Sequence, residues 1–389
     1  MKYDAIVVGS GFTGSVVARK LAEDYNKKVL VVERRKSISG NMYDEYDQYG
    51  ILIQKYGPHV FHTNNKEVYE YVSKFCDWIP YEHSSKVKID GVILDSPFNF
   101  NTIDKFYSEK DAQNLKNVLK KYYGEQEIVT VIELLENPIE SIQEYGKFLF
   151  EKDYRPYTAK QWGISPEEID VSVLKRCPVF LSYRTRYLNE AYECMPKEGF
   201  YKLFCNMLDH PNIQIQTDKD ILDSLEIDFT ENNILYDGET LDIPVIYTGA
   251  IDELLGYKFG ALPYRSLKFE WKYYDMKSYQ EASIVTYPQE KGFTRITEYT
   301  KMPIQDVGDK TVIAIEYPIP FRQDDETLEP YYPVINDENN MLYEKYLEIT
   351  SKINNLIVCG RLGDYKYYNM DQSVARALEV VDLIGKRYR

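Results

Sequence analysis

Ala5-Ile6-Val7-Val8-Gly9-Ser10-Gly11-Phe12-Thr13-Gly14, answered by Glu33 at the close of Val29-Leu30-Val31-Val32, is the stretch whose reading decides the fold. The apolar run up to Val8 reads as a buried parallel strand, and the amphipathic residues 15–25 as the crossover helix that leads to a second strand. Gly9 permits the tight turn, Gly11 lets a pyrophosphate approach the backbone, and Gly14 lets helix and strand pack closely. The phosphates then meet the amides at the helix N-terminus. Glu33 stands where a ribose would lie, and an acidic residue there favours an unphosphorylated ribose. The pattern predicts a dinucleotide-binding unit and leaves NAD and FAD undistinguished.

Working outward, 389 residues suggest two or three domains with ample apolar material for their cores. No apolar run approaches membrane-spanning length, and the chain opens on a strand rather than a basic and apolar leader, so the cytoplasm is the expected location. Five cysteines form no CxxC pair and leave one over, which predicts neither a disulfide framework nor a zinc site. The formal net charge of −15 argues against general affinity for nucleic acid. An anionic ligand therefore needs locally placed arginines. The 37 tyrosines offer stacking faces and hydroxyls that suit sugars and nucleotides.

Residues 102–157 read as helical, with apolar positions at three and four spacing in 112–123, 128–135 and 139–150. Residues 179–317 hold short alternating runs, at 267–273, 282–287 and 311–315, that predict an antiparallel sheet. Val245-Ile246-Tyr247-Thr248-Gly249 and Leu356-Ile357-Val358-Cys359-Gly360 both look like buried strands ending at glycine, so the cofactor domain is expected to be discontinuous. The fold class is α/β: a Rossmann-like FAD-binding domain (1–80, 197–256 and 350–389), a helical insertion domain (100–175) and an antiparallel β-sheet domain (81–99, 176–196 and 257–349).

Four features could carry chemistry. His59 and His62 stand three apart, but no carboxylate or cysteine at a supporting spacing makes them a metal site, so no metal is expected; the alternative is a turn packed against whatever the first domain binds. Tyr157-Thr158-Ala159-Lys160-Gln161-Trp162-Gly163, with Arg176 soon after, suits a base and its phosphates, or else is a helix-capping aromatic cluster beside a solvated arginine. Arg295 lies in an expected strand, where an inward charge needs an anionic partner. Arg361 follows a glycine-ended strand, from which it can reach a cofactor pyrophosphate.

Taken together, GSGxxG with its glutamate, Gly40-Asn41-x-Tyr43, YGPHVFHT, YTAKQWG, KRCPV, FTRITE, EPYYPV and GRLGDYKYYNMD occur in the order seen in bacterial UDP-galactopyranose mutases. The chain resembles that family from end to end. The resemblance implies FAD as cofactor, needed in its reduced form, and interconversion of the pyranose and furanose forms of a nucleotide sugar. UDP-galactopyranose is the expected substrate, with UDP-N-acetylgalactosamine or dTDP-fucopyranose as variants. In the implied mechanism the reduced flavin N5 attacks the anomeric carbon, displaces the nucleoside diphosphate and forms a flavin–sugar adduct.

By the same resemblance Arg176 and Arg295 neutralise the diphosphate, Tyr157 and Trp162 hold the uridine and sugar, and Tyr187, one of Tyr331 and Tyr332, and Tyr367 bond to phosphate. Asn99, Asn369 and His59 join the substrate side. His59 and His62 lie beside the flavin, with the His62 backbone helping to set its reactivity. Gly9, Gly11, Phe12, Thr13, Gly14, Glu33, Arg34, Gly40, Asn41, Arg361 and Met370 contact the cofactor. An external reductant and a homodimer are implied as partners.

The chain departs from the family pattern at Asn369 for aspartate, Phe180 for arginine, His83 near a usual asparagine, Asp95-Ser96 for Asn-Leu, and Ser39 for glycine before Gly40. The paired arginines and the aromatic clamp remain. Two alternatives stay open: an FAD amine oxidase-like oxidoreductase, which shares the opening fingerprint, and a non-catalytic nucleotide-sugar binding protein.

Overall fold

The computed structural model describes residues 2–163, 165, 177–325 and 327–387. Its first layer is a five-stranded parallel sheet in the order Ile213–Gln216, Val29–Val32, Ala5–Val8, Val245–Tyr247, Leu356–Val358. Successive side chains of Ala5–Val8 point to opposite faces. Ala5 and Val7 therefore enter the core beneath helices Phe12–Tyr25, Phe200–Leu208 and Met370–Arg387, while Ile6 enters a second core with Leu30, Val32 and Ile221. Burial on both faces is why the strand is apolar at every position. The sheet's strands come from three separated stretches of the chain.

The second layer is a seven-stranded sheet in the order Tyr332–Pro333, Tyr264–Tyr274, Thr311–Pro320, Arg295–Glu298, Ile284–Thr286, Ser85–Ile89, Val92–Ser96. It is antiparallel except where Ser85–Ile89 meets Ile284–Thr286 in parallel. A three-stranded sheet, Phe61–Thr63, Tyr192–Pro196 and Trp78–Pro80, carries His62.

Helices Phe100–Phe106, Glu109–Tyr123, Val131–Leu135 and Glu140–Leu149 share one core around Leu119, Ile142 and Tyr145. Residues 128–135 depart from the expected single helix. Ile128–Thr130 is extended and pairs antiparallel with Pro178–Phe180, and the helix begins only at Val131. Its β-branched triplet suits a strand. Thr130 then stops it: its side chain accepts from Glu133 N, and Glu133 returns to Thr130 N, a capping box. Helix Arg155–Trp162 continues from a π-turn, Phe150–Tyr154, that aims Asp153 and Tyr154 toward the site described next. Among the described residues no helix is long and apolar enough to cross a membrane, and no cluster of three potential ligands could hold a metal ion.

Candidate functional site

Two cavities adjoin. The first, about 190 Å³, follows the glycine turn and is walled by Gly9, Gly11, Phe12, Thr13, Gly14, Glu33, Arg34, Gly40, Asn41, Arg361 and Met370. Gly9 has φ +92, which the turn requires, and a Cβ on Gly14 would stand 2.0 Å from the Gly9 carbonyl oxygen. Gly11 is different: a Cβ there meets nothing within 4 Å. That open space lies at the N-cap of helix Phe12–Tyr25, which has no side-chain cap, so its first amides are free for an anion. Glu33 is 5% exposed; one carboxylate oxygen accepts from Ser10 N at 2.9 Å and Ser10 Oγ at 2.6 Å, the other from Arg35 N.

Arg35 bridges Glu329 at 2.9 Å and Asn41 Oδ1 at 2.9 Å, lies over the Tyr56 ring, and keeps one buried guanidinium nitrogen, Nη1, without a partner. Arg34 pairs with Glu253 at 3.1 Å. An uncapped helix, an orphaned arginine nitrogen and an acid at the second strand's end fit a dinucleotide. Sequence reasoning missed Ser10, Arg35 and Thr248, whose hydroxyl donates to the Val8 carbonyl at 2.7 Å on the cavity wall. Thr248 had a signal, since it follows an apolar strand just as Arg361 does.

Ser39 holds φ +85 in this wall, a left-handed conformation that costs a non-glycine residue about 1–2 kcal/mol. Ser39→Gly is therefore expected to raise the apoprotein's Tm, by an amount corresponding to roughly 1 kcal/mol, with flavin content unchanged in the absorbance spectrum. A lower Tm would mean that the serine hydroxyl, which donates to the Ile38 carbonyl, outweighs the strain.

The second cavity, about 530 Å³, is lined by Tyr157 and Trp162 from the helical layer, Arg295 from the large sheet, Tyr187, Tyr367, His62 and His83. Arg295 faces inward and its partner is Glu316, directly across the strand pair: Nε donates at 2.8 Å and Nη2 stands at 2.7 Å. Burial alone would lower this guanidinium; Glu316 and the Tyr157 and Tyr332 phenols more than offset it, so Arg295 stays charged. Burial pushes the Tyr157 phenol up to about 12 despite Arg295, so it remains a neutral donor. Gln161 Nε2 donates to that phenol at 3.1 Å.

Lys160, on the same helix, donates to the carbonyls of Tyr287, Glu290 at 2.8 Å and Phe293 at 2.9 Å. It ties the aromatic helix to the loop that precedes Arg295. Asp153, also missed, lines the cavity with its carboxyl pushed by burial to about 7. Nothing in the helical periodicity distinguished it.

His59 lines neither cavity, although Pro58 and Val60 on either side of it line the second. Its Nδ1 is buried without a partner, and burial with the Arg361 and Arg295 charges pushes the imidazole down to about 3. Arg361 reaches in from the first cavity: it donates to the Tyr368 carbonyl at 3.1 Å and lies over Tyr332 and Tyr367, which stack at 5.3 Å. Tyr332 thus belongs with Tyr367, whereas Tyr331 faces Tyr56 and the Arg35–Glu329 pair.

Two expected residues fall elsewhere. Asn99 is fully buried, donates to Asp95 and the Arg184 carbonyl, and caps Phe100–Phe106 through Asn101 N. Asn369 precedes helix Met370–Arg387 and lines neither cavity. Arg176 lies outside the described residues. Phe180 is 3% exposed, with the Arg184 guanidinium over its ring.

His83 resembles His59: burial, Arg295 and His62 push it down to about 4. Both imidazoles are neutral in the fold and titrate near 6.5 when unfolded, so the unfolded chain binds more protons between these values. Their contribution is complete above pH 6.5 and is lost as pH falls toward 4 and 3. The apoprotein's Tm is expected to fall from pH 7 to pH 5, and less steeply in His83→Asn. Parallel curves would contradict the burial of a neutral His83.

Residues 152–367 match the family model described as UDP-galactopyranose mutase, and residues 7–75 match the NAD(P)-binding Rossmann-like domain. The chain is 35% identical to the UDP-galactopyranose mutase of Mycoplasma pneumoniae, over 97% of this chain and 95% of that protein. It is 34% identical to the dTDP-fucopyranose mutase of Escherichia coli, over 98% of each. The fold matches the crystal structure of a reduced UDP-galactopyranose mutase with a TM-score of 0.71, covering 100% of this chain and 94% of that one at 18% identity.

Proposed function

Since the chain belongs to the UDP-galactopyranose mutase family, and is therefore a flavin-dependent nucleotide-sugar mutase, we propose that its substrate is UDP-galactopyranose and its product UDP-galactofuranose. dTDP-fucopyranose and UDP-N-acetylgalactosamine are the variants within the class; similarity to a dTDP-fucopyranose mutase supports the first of these. The observation that carries the reading is a dinucleotide cleft adjoining a second cavity that holds an inward arginine, the two linked by Arg361 of the first lying over the Tyr367 ring of the second.

FAD is the proposed flavin, held by the glycine turn, Glu33, Arg34, Asn41, Arg361 and Met370. When bound and reduced it supplies a nucleophilic nitrogen at the sugar's anomeric carbon. The reducing equivalents come from an external donor, the enzyme works in the cytoplasm, and a homodimer is the proposed assembly. Arg295, with Arg176, neutralises the diphosphate as substrate and as leaving group. Tyr157 and Trp162 flank the nucleoside. Tyr187, Tyr332 and Tyr367 donate to the phosphates, and Tyr332 is the member of its pair on that side. Asn99 acts as scaffold beneath the cavity rather than as a ligand.

Dithionite-reduced protein incubated with each of the three nucleotide sugars is expected to give a furanose product by chromatography from at least one. No furanose from any, with the flavin demonstrably reduced, removes the mutase reading.

A further inference from the structure

Pyranose and furanose forms differ in which hydroxyl closes the ring. Conversion breaks the bond from the anomeric carbon to O5 and forms one to O4. One proton leaves the 4-hydroxyl and one arrives at O5, and nothing is oxidised or reduced overall. A group that takes the first proton and returns it to the second oxygen would serve both directions.

The cavity holds two imidazoles in opposite settings. His83 has no carboxylate on its ring: its backbone N–H donates to Glu193, its Nδ1 is buried without a partner, and Arg295 opposes its protonation. His62 has one. Its Nδ1 stands 3.2 Å from Glu190 Oε1, while the side chain lines the cavity and Nε2 has no protein partner among the described residues. A carboxylate on Nδ1 fixes the tautomer, with the proton on Nδ1 and the Nε2 lone pair free.

Both partners are held. His62 sits in the strand Phe61–Thr63, in register with Glu193 of Tyr192–Pro196, and Glu190 precedes that strand. Its second oxygen accepts from Asn189 N at 2.8 Å, and its carbonyl accepts from Arg186 at 3.2 Å. Glu193 is paired with Arg186 at 2.9 Å, Arg295 with Glu316, and His83 is neutral. Glu190 is the carboxylate that stands on the His62 ring.

Resting on the mutase reading above, we propose that His62 carries the proton between O4 and O5 through Nε2, and that Glu190 is the positioning residue that orients its ring. His62→Ala, which keeps the backbone, is expected to lower kcat about 10²-fold or more, and exogenous imidazole to restore part of it. Glu190→Gln is expected to lower kcat about 10-fold. The loss falls on kcat and leaves KM unchanged, because Glu190 reaches the substrate only through the His62 ring. Flavin content and affinity for free UDP stay at wild-type values in both variants, which a folding defect would not allow. Unchanged kcat in His62→Ala, or a loss in Glu190→Gln that appears in KM rather than kcat, overturns the assignment. Reduced wild-type protein that makes no furanose removes the mutase reading itself, and this inference with it.

Discussion

Arg295→Ala is expected to lose about 10²–10³ of turnover while the purified protein keeps its yellow colour. Arg295 lines the second cavity and not the first, where the flavin is proposed to sit, so the flavin has no reason to leave. The variant also strands Glu316, which is 2% exposed and bonded to the lost guanidinium at 2.7 Å. Leaving one partner of a buried pair costs about 3–5 kcal/mol. Loss of activity could then be misread as loss of fold. The double variant Arg295→Ala/Glu316→Gln separates the two, because it removes the stranded charge: Tm recovers and turnover does not. Steady-state rates with reduced protein, flavin absorbance and thermal melts decide it, and a wild-type rate in the single variant would show that Arg295 does not touch the diphosphate.

The glycine turn gives the second large effect, and two of its glycines are expected to fail differently. At Gly14 a Cβ would meet the Gly9 carbonyl oxygen at 2.0 Å and its carbon at 3.0 Å, both backbone atoms that cannot rotate away. Gly14→Ala must push helix Phe12–Tyr25 off the sheet, so stability falls by roughly 1–3 kcal/mol or more and flavin is lost with it. Gly11 has φ −69 and ψ −177, which alanine adopts freely, and no atom lies near its Cβ position. Gly11→Ala is expected to melt like the wild-type apoprotein and still bind little flavin, because the methyl occupies the pyrophosphate's approach. Equal Tm losses in both variants would refute the distinction, as would full flavin content in Gly11→Ala.

The cofactor cleft was the more legible of the two cavities, because its chemistry is local in sequence. Strand, turn, helix and acidic strand end follow one another within residues 5–33, and Gly9 and Gly14 each have a steric reason that spacing alone expresses. The substrate cavity draws on residues from 58 to 367, and no periodicity joins them. Arg295 illustrates the limit. Sequence could say that an inward charge needs an anion, but only strand register shows that Glu316 supplies it. Tyr331 and Tyr332 were inseparable until the fold set one ring against Tyr56 and the other against Tyr367. The helix expected over 128–135 failed because apolar spacing in so short a run cannot tell a strand from a helix, and Thr130 decided it.

The parallel sheet is also a matter of timing. Its fifth strand, Leu356–Val358, and Arg361 behind it leave the ribosome long after the glycine turn has been made. A nascent chain therefore exposes a half-built nucleotide cradle through most of translation, and coenzyme capture becomes a late event that follows assembly of the other layers.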